Sequence, residues 1–207
     1  MDKLKTFVRT GDAPAVAKRV TELLEDGQEA EAILKEALIP AMDEVGDLFQ
    51  KGEYFLPEML IAARAMKQGI AVLRPKLVAE GVEPVAKVVI GTVKGDLHDI
   101  GKNLVGMALE GAGFEVIDLG VDVPGDKFVA AIKEHEPVAL GISALLTTTM
   151  TAMKDIIAVI VEAGARDGVK IMVGGAPLTQ AYADEIGADY YSETPTAGKE
   201  FVKGLIE

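Results

Sequence analysis

From residue 86 onward, short apolar runs rich in β-branched residues alternate with longer stretches of helical period, and few architectures accommodate that pattern. The spacing predicts strands over 86–92, 114–118, 138–143, 169–173 and 188–191. It predicts helices over 100–112, 125–135, 149–166, 177–186 and 195–206. Five strands separated by helices imply a parallel sheet covered on both faces.

The short second strand and the polar fifth suggest the sheet edges. The natural order is 2-1-3-4-5, a flavodoxin-like, Rossmann-type arrangement whose switch point lies between strands 1 and 3. Residues 1–80 carry no strand signal. Apolar spacing there predicts helices over 2–9, 13–26, 29–50 and 57–79, a four-helix bundle. Pro40 should kink or break the third of them, and Pro57 suits the first turn of the fourth. The stretch Glu80-Gly81-Val82-Glu83-Pro84 reads as a linker between a helical domain, 1–80, and an α/β domain, 84–207.

A hydrophobic content of 49% with only 5% aromatics calls for an aliphatic core. Cysteine is absent, which removes disulfides, cysteine–zinc sites, iron–sulfur clusters and thiol catalysis, and fits a reducing cytoplasm. A net charge of −12 without a basic run argues against nucleic acid. No apolar run has transmembrane length, and none follows the N-terminus as a signal peptide would.

The chemistry-bearing residues gather where the first strand ends. After the run Val88 to Val93 comes a polar loop holding Asp96, His98 and Asp99, then a helical segment from Ile100. This places the loop at the carboxyl end of a strand, where open α/β sheets bind ligands. A neutral imidazole is a good ligand for a transition metal, and a carboxylate can hold its other ring nitrogen. As an alternative, Asp96 or Asp99 caps the following helix and His98 is only a loop residue. His135, at a predicted helix end, reads as structural. The same sheet edge receives Ser143 and the hydroxyls Thr147 to Thr149 after strand 3, Gly174-Gly175 after strand 4, and Thr194 after strand 5.

Competing chemistries lack their parts. No Gly-x-Gly-x-x-Gly follows a strand, and no phosphate loop with Gly-Lys-Ser/Thr is present. A phosphoacceptor site needs an acid after strand 3, where Ser143 stands. A hydrolytic zinc or iron centre needs three ligands, and one plausible histidine does not supply them. One protein ligand beside a slot lined by hydroxyls and glycines suits a metal whose other positions come from a macrocycle.

The run Asp96-Leu97-His98-Asp99-Ile100-Gly101 matches the Asp-x-His-x-x-Gly signature of cobalamin-binding domains. The wider match, Gly95 to Asn103 with Ser143, Thr147 and Gly174-Gly175, resembles the cobalamin domain of methionine synthase. The N-terminal bundle is similar to the helical cap of that enzyme, notably at Phe55-Leu56-Pro57. The two modules together resemble the corrinoid proteins of methyltransferase systems.

The resemblance implies that His98 is the lower axial cobalt ligand, replacing the benzimidazole of the cofactor, that Asp96 bonds His98, and that Thr149 bonds Asp96. It implies that Gly95, Leu97, Asp99 and Gly101 complete the cofactor-binding loop. Ser143, Thr147, Gly174 and Gly175 would line a slot for the displaced nucleotide tail, with Thr194 near its outer part. Phe55 and Leu56 would shield the upper face. The implied partners are a substrate-specific methyltransferase, a second methyltransferase acting on coenzyme M or tetrahydrofolate, and a reductive activation protein. The methyl source would be methanol, a methylamine, a betaine or a methoxylated aromatic. Two other functions share these features: the cobalamin subunit of an adenosylcobalamin mutase, and a cobalamin sensor.

Overall fold

The computed structural model describes residues 1–82 and 84–206. Two compact units form, the first from Met1–Val85 with Met107–Gly113, the second from Ala86–Gly106 with Phe114–Glu207. The chain therefore passes between units three times, after Val85, after Gly106 within one helix, and after Gly113. Glu83 of the expected linker lies outside the described residues, as does Glu207.

The first unit is helical. Its elements are α1 (Asp2–Arg9), α2 (Ala13–Glu25), α3 (Ala30–Ile33), α4 (Ile39–Gln50) and α5 (Leu56–Ala79). Asp12 caps α2 by accepting from the Ala15 amide, and Pro14 sits in its first turn. The helix expected over 29–50 is continuous in direction but not in type. A π-helical segment, Leu34–Leu38, separates α3 from α4, and Pro40 falls in the first turn of α4. The irregularity lies just N-terminal to the proline. That is where its ring meets the carbonyl of residue i−4 and where its missing N–H breaks the ladder. Leu4, Val16, Ile33, Leu38 and Leu73 are fully buried in this unit.

The second unit contains β1 (Lys87–Thr92), α6 (Ile100–Gly111), β2 (Glu115–Asp118), α7 (Gly125–His135) and β3 (Ala139–Ser143). There follow α8 (Thr147–Glu162), β4 (Lys170–Gly174), α9 (Gln180–Ile186), β5 (Tyr190–Ser192) and α10 (Pro195–Lys203). The sheet is parallel with order β2-β1-β3-β4-β5, as the alternation predicts. His135 ends α7. Helix α8 starts at Thr147 rather than 149, so the hydroxyl run forms its first turn, and its N-cap is Leu146. Among the described residues no helix is long and apolar enough to cross a membrane.

The two faces of this sheet differ sharply. Strand residues alternate sides. One side carries Val89, Leu140, Ile142, Ile171 and Val173, which pack with Phe128, Met153 and Ile160 into a continuous core. The other carries Ile90 and Thr92 from β1, Gly141 and Ser143 from β3, and Met172 and Gly174 from β4. In register, Ile90 stands beside Gly141 and Gly141 beside Met172; two residues on, Thr92 stands beside Ser143 and Ser143 beside Gly174. The packed face anchors the sheet and leaves the other face to line the site.

Asp189 pins the end of the sheet. Its carboxylate accepts from the Ile171 amide (2.7 Å), Arg166 (2.7 Å) and Lys170 (3.2 Å). Burial alone would raise its pKa, but the Ile171 amide, Lys170 and Arg166 together hold it below the ordinary aspartate value of 3.8. A depressed folded-state pKa gives stability that is present above the unfolded value and lost as pH falls through the folded one. Asp189→Asn should therefore lower unfolding free energy by about 1–3 kcal/mol at pH 7. The gap to wild type should narrow below about pH 4. Urea unfolding at pH 7 and pH 3 checks this; an equal gap at both values would remove the ionised carboxylate as its source.

Candidate functional site

The loop after β1 is built around one buried carboxylate. Gly95 takes φ +83°, a left-handed turn that favours glycine, and delivers Asp96 to a fully enclosed position, 0% exposed. Asp96 Oδ1 accepts from the His98 backbone amide (3.0 Å) and lies 2.7 Å from His98 Nδ1. Asp96 Oδ2 accepts from the Leu145 amide (2.8 Å) and the Thr149 hydroxyl (2.7 Å), with the Leu146 amide at 3.4 Å. Burial pushes the Asp96 pKa up. The bonds from the His98 amide, Thr149, Leu145 and the His98 ring outweigh that and hold the carboxyl far below the usual carboxylate range.

An ionised Asp96 can only accept, so the proton between the two groups belongs to His98 Nδ1. In the neutral imidazole the free lone pair is then the one on Nε2, on a side chain that is half exposed. A carboxylate behind Nδ1 orients the ring and raises its basicity toward a metal. Among the described residues no three His, Cys, Asp or Glu side chains converge as a metal cage. The donor set therefore fits a metal that brings its other ligands with it.

Beside His98 opens a cavity of about 780 Å³ between the small-residue face of the sheet and the helices α6 and α10. Gly101, Ser143, Gly174, Gly175 and Thr194 all line it, with Leu97, His98 and Asp99 at its loop side. Gly175 has φ +142°, and a Cβ there would lie 1.9 Å from the Ala144 carbonyl oxygen. Only glycine lets the β3 and β4 ends approach this closely. Thr194 is in the wall, but its hydroxyl is engaged as the α10 cap, accepting from the Ala197 amide at 3.1 Å. Thr147 is exposed in the first turn of α8 and is not part of the wall. Phe55 and Leu56 belong to the first unit, Phe55 as the exposed N-cap residue of α5 and Leu56 as its first residue.

The B12 binding domain family matches residues 86–199, and a second family described as a B12 binding domain matches residues 1–74. The chain belongs to the B12-binding family. A corrinoid protein of Desulfitobacterium hafniense strain Y51 is 39% identical across 100% of this chain and 97% of its own length. The dimethylamine corrinoid protein of Methanosarcina barkeri is 46% identical over 90% of this chain and 88% of its own. The crystal structure of the methanol:cobalamin methyltransferase complex MtaBC from Methanosarcina barkeri matches with a TM-score of 0.89 at 29% identity, covering 98% of this chain and 78% of that one. Cobalamin is thus the cofactor of this B12-binding chain.

Two residues that hold the B12 loop gave no signal in the sequence. The Thr92 hydroxyl, inside what reads as strand filler, donates to the His98 carbonyl at 2.9 Å. Asp122 takes φ +55°, accepts from the Gly95 amide at 2.7 Å, and donates its own amide to the Asp96 carbonyl at 3.1 Å. Both act on backbone groups, which no residue pattern announces.

Asp96→Asn tests the carboxylate directly. An amide has one accepting oxygen, so either the His98 side or the Leu145–Thr149 side must face an NH₂ group. Apo-protein stability should drop by about 1–3 kcal/mol, and corrinoid affinity should fall about 10–100-fold. Thermal unfolding of the apo-protein and a spectroscopic corrinoid titration read the two effects separately. Wild-type values in both would mean that Asp96 does not organise the loop.

Proposed function

We propose that this protein is the corrinoid-carrying methyl shuttle of a methyltransferase system in the cytoplasm. A substrate-specific methyltransferase loads the methyl group, a second one removes it to coenzyme M or tetrahydrofolate, and a reductive activation protein restores the carrier after oxidation. Residues 1–80 serve as the helical cap domain and 84–207 as the corrinoid domain. The observation that carries the reading is the Asp96–His98 pair, with Nδ1 held at 2.7 Å and Nε2 left free beside the cavity. Support for methyl transfer comes from relatives called dimethylamine and trimethylamine corrinoid proteins, 42–46% identical. On that support we assign a methylated amine as the methyl source.

The bound corrinoid supplies a cobalt that accepts a methyl group in one state and donates it in another. The residues of the chain tune and hold it. His98 would offer Nε2 to the metal, and Asp96 orients the ring through Nδ1. Thr149, Leu145 and Leu146 keep Asp96 ionised by donating to Oδ2. Ser143, Gly174 and Gly175 line the cavity and would hold the nucleotide tail, with the glycines offering backbone rather than side chain to it.

The test uses full-length protein loaded with hydroxocobalamin and reduced. With a methyltransferase encoded beside it and mono-, di- or trimethylamine, the visible spectrum should convert to that of an alkylated corrinoid. A second methyltransferase with coenzyme M or tetrahydrofolate should reverse it and yield the methylated acceptor. His98→Ala should bind corrinoid more weakly and lose nitrogen coupling from the protein in the paramagnetic resonance spectrum. Methanol as the only productive donor would overturn the amine assignment. No methyl transfer with any donor would overturn the shuttle.

A further inference from the structure

The cavity is layered, and its two layers differ in chemistry. The row that lines it at the strand ends is Ser143, Gly174 and Ser192, polar or small throughout. Two residues deeper on the same face the lining is Ile90, Gly141 and Met172, without a hydrogen-bonding side chain; Tyr190, next to Met172 in register, stacks on Phe201 and does not line the cavity. Ile90 and Met172 are almost wholly buried. Between them Gly141 leaves a gap: a Cβ added there would lie 3.1 Å from Ile90 Cγ2 and 3.5 Å from Met172 Cε.

The helices over this floor are pared down at the same level. A Cβ at Gly106 of α6 would meet Ile90 Cδ1 at 2.9 Å, and one at Gly198 of α10 would meet Met172 Sδ at 3.0 Å. Ile90 and Met172 thus lean away under glycines, and the space above Gly141 is left as a narrow apolar slit. Leu104 of α6 adds further hydrocarbon to the wall.

Two polar side chains of the lining, Lys102 and Ser192, are already committed. Lys102 lines the cavity, but its ammonium is bound to Asp118 Oδ2 at 2.5 Å and Asn103 Oδ1 at 2.8 Å. The Ser192 hydroxyl donates to the Thr194 carbonyl at 2.9 Å. Strand N–H and C=O groups at the floor are spent in the parallel ladder. A flat ring can enter this slit, but an exocyclic amine or extra ring nitrogen entering with it would lose water and find no partner.

We propose that the floor formed by Ile90, Gly141 and Met172 selects the base at the end of the corrinoid nucleotide, taking an apolar benzimidazole and discriminating against adenine. The inference rests on the corrinoid-carrier reading and adds to it which corrinoid the chain takes. Phosphate and ribose belong at the hydroxyl-bearing mouth, and the base belongs at the hydrocarbon floor. Adenine carries an amine and two ring nitrogens that dimethylbenzimidazole replaces with carbon and methyl groups. Burying them unpaired costs about tenfold or more in affinity. Dimethylbenzimidazole instead gains by burying its two methyls.

Three probes decide it with the wild-type full chain: cobinamide, which has no nucleotide, hydroxocobalamin, and the adenine-containing cobamide. Affinities are measured by visible spectroscopy and corrected for the tendency of each free corrinoid to ligate its own base. Hydroxocobalamin should bind about tenfold or more tighter than the adenine form. Adenine binding as tightly as benzimidazole, with both above cobinamide, would overturn the selectivity and leave the tail slot standing. Equal binding of all three would show that no tail enters the slot, and failure of all three would overturn the corrinoid reading itself. Met172→Gln should narrow the ratio by offering the adenine amine a partner. Gly141→Val should reduce hydroxocobalamin to the cobinamide level while cobinamide binding stays as in wild type, the latter reporting that the variant is folded. An unchanged ratio in a folded Gly141→Val protein would place the base elsewhere and overturn the proposal.

Discussion

One carboxylate joins the two loops on which the site depends. Strands β1 and β3 are neighbours in the sheet, but their following helices leave in opposite directions, so a crevice opens between the loops. Asp96 spans it, with Oδ1 occupied by the loop after β1 and Oδ2 by the loop after β3. A neutral side chain could not satisfy both sets of donors. An unpaired buried carboxylate would not survive there, because burial raises its pKa until it protonates. The donors and the charge stabilise each other, and the imidazole orientation follows from that arrangement.

The rest of the second unit bears the cost of keeping a cavity open. An unfilled space next to a sheet forfeits dispersion contacts and weakens the fold. The opposite face offsets this with a continuous cluster that includes Phe128, Leu140, Ile142, Met153 and Ile160. The sheet is thus asymmetric by composition: Leu140 and Ile142 point one way, Ala139, Gly141 and Ser143 the other. The same residues that make the strand β3 stable on one side make it accommodating on the other.

That asymmetry was present in the sequence as the alternation Ala139-Leu140-Gly141-Ile142-Ser143, small and large in turn. Read only as a β-branched, apolar run it gave the strand and the sheet order, but reading its period would have given the cavity floor. The order of the strands was legible because alternation with helices leaves little choice. The His98 loop was legible because aspartate and histidine two residues apart at a strand end are rare and chemically specific. The hydroxyls were legible only as a group. Thr149 faces Asp96, Thr194 caps α10, Ser143 lines the wall and Thr147 faces outward, and the helix start at Thr147 decides among the three threonines of that first turn. Asp122 and Thr92 escaped because each binds the backbone of a residue far from its own local context, where side-chain identity on the partner carries no information.

Two separate attachments, at His98 and at the proposed base site, would let the proposed carrier vary one of them. His98 is half exposed and sits on a loop, whereas the floor residues Ile90, Gly141 and Met172 sit in the middle of three strands. Strand interiors are the most rigid part of such a fold, and loops the least. A ligand seated at both points keeps a high effective concentration near His98 even while the imidazole is released. In the proposed carrier a bond from His98 to the metal could then be released without loss of the cofactor. The buried carboxylate, held 2.7 Å from Nδ1, would leave Nε2 as the nitrogen offered to the metal.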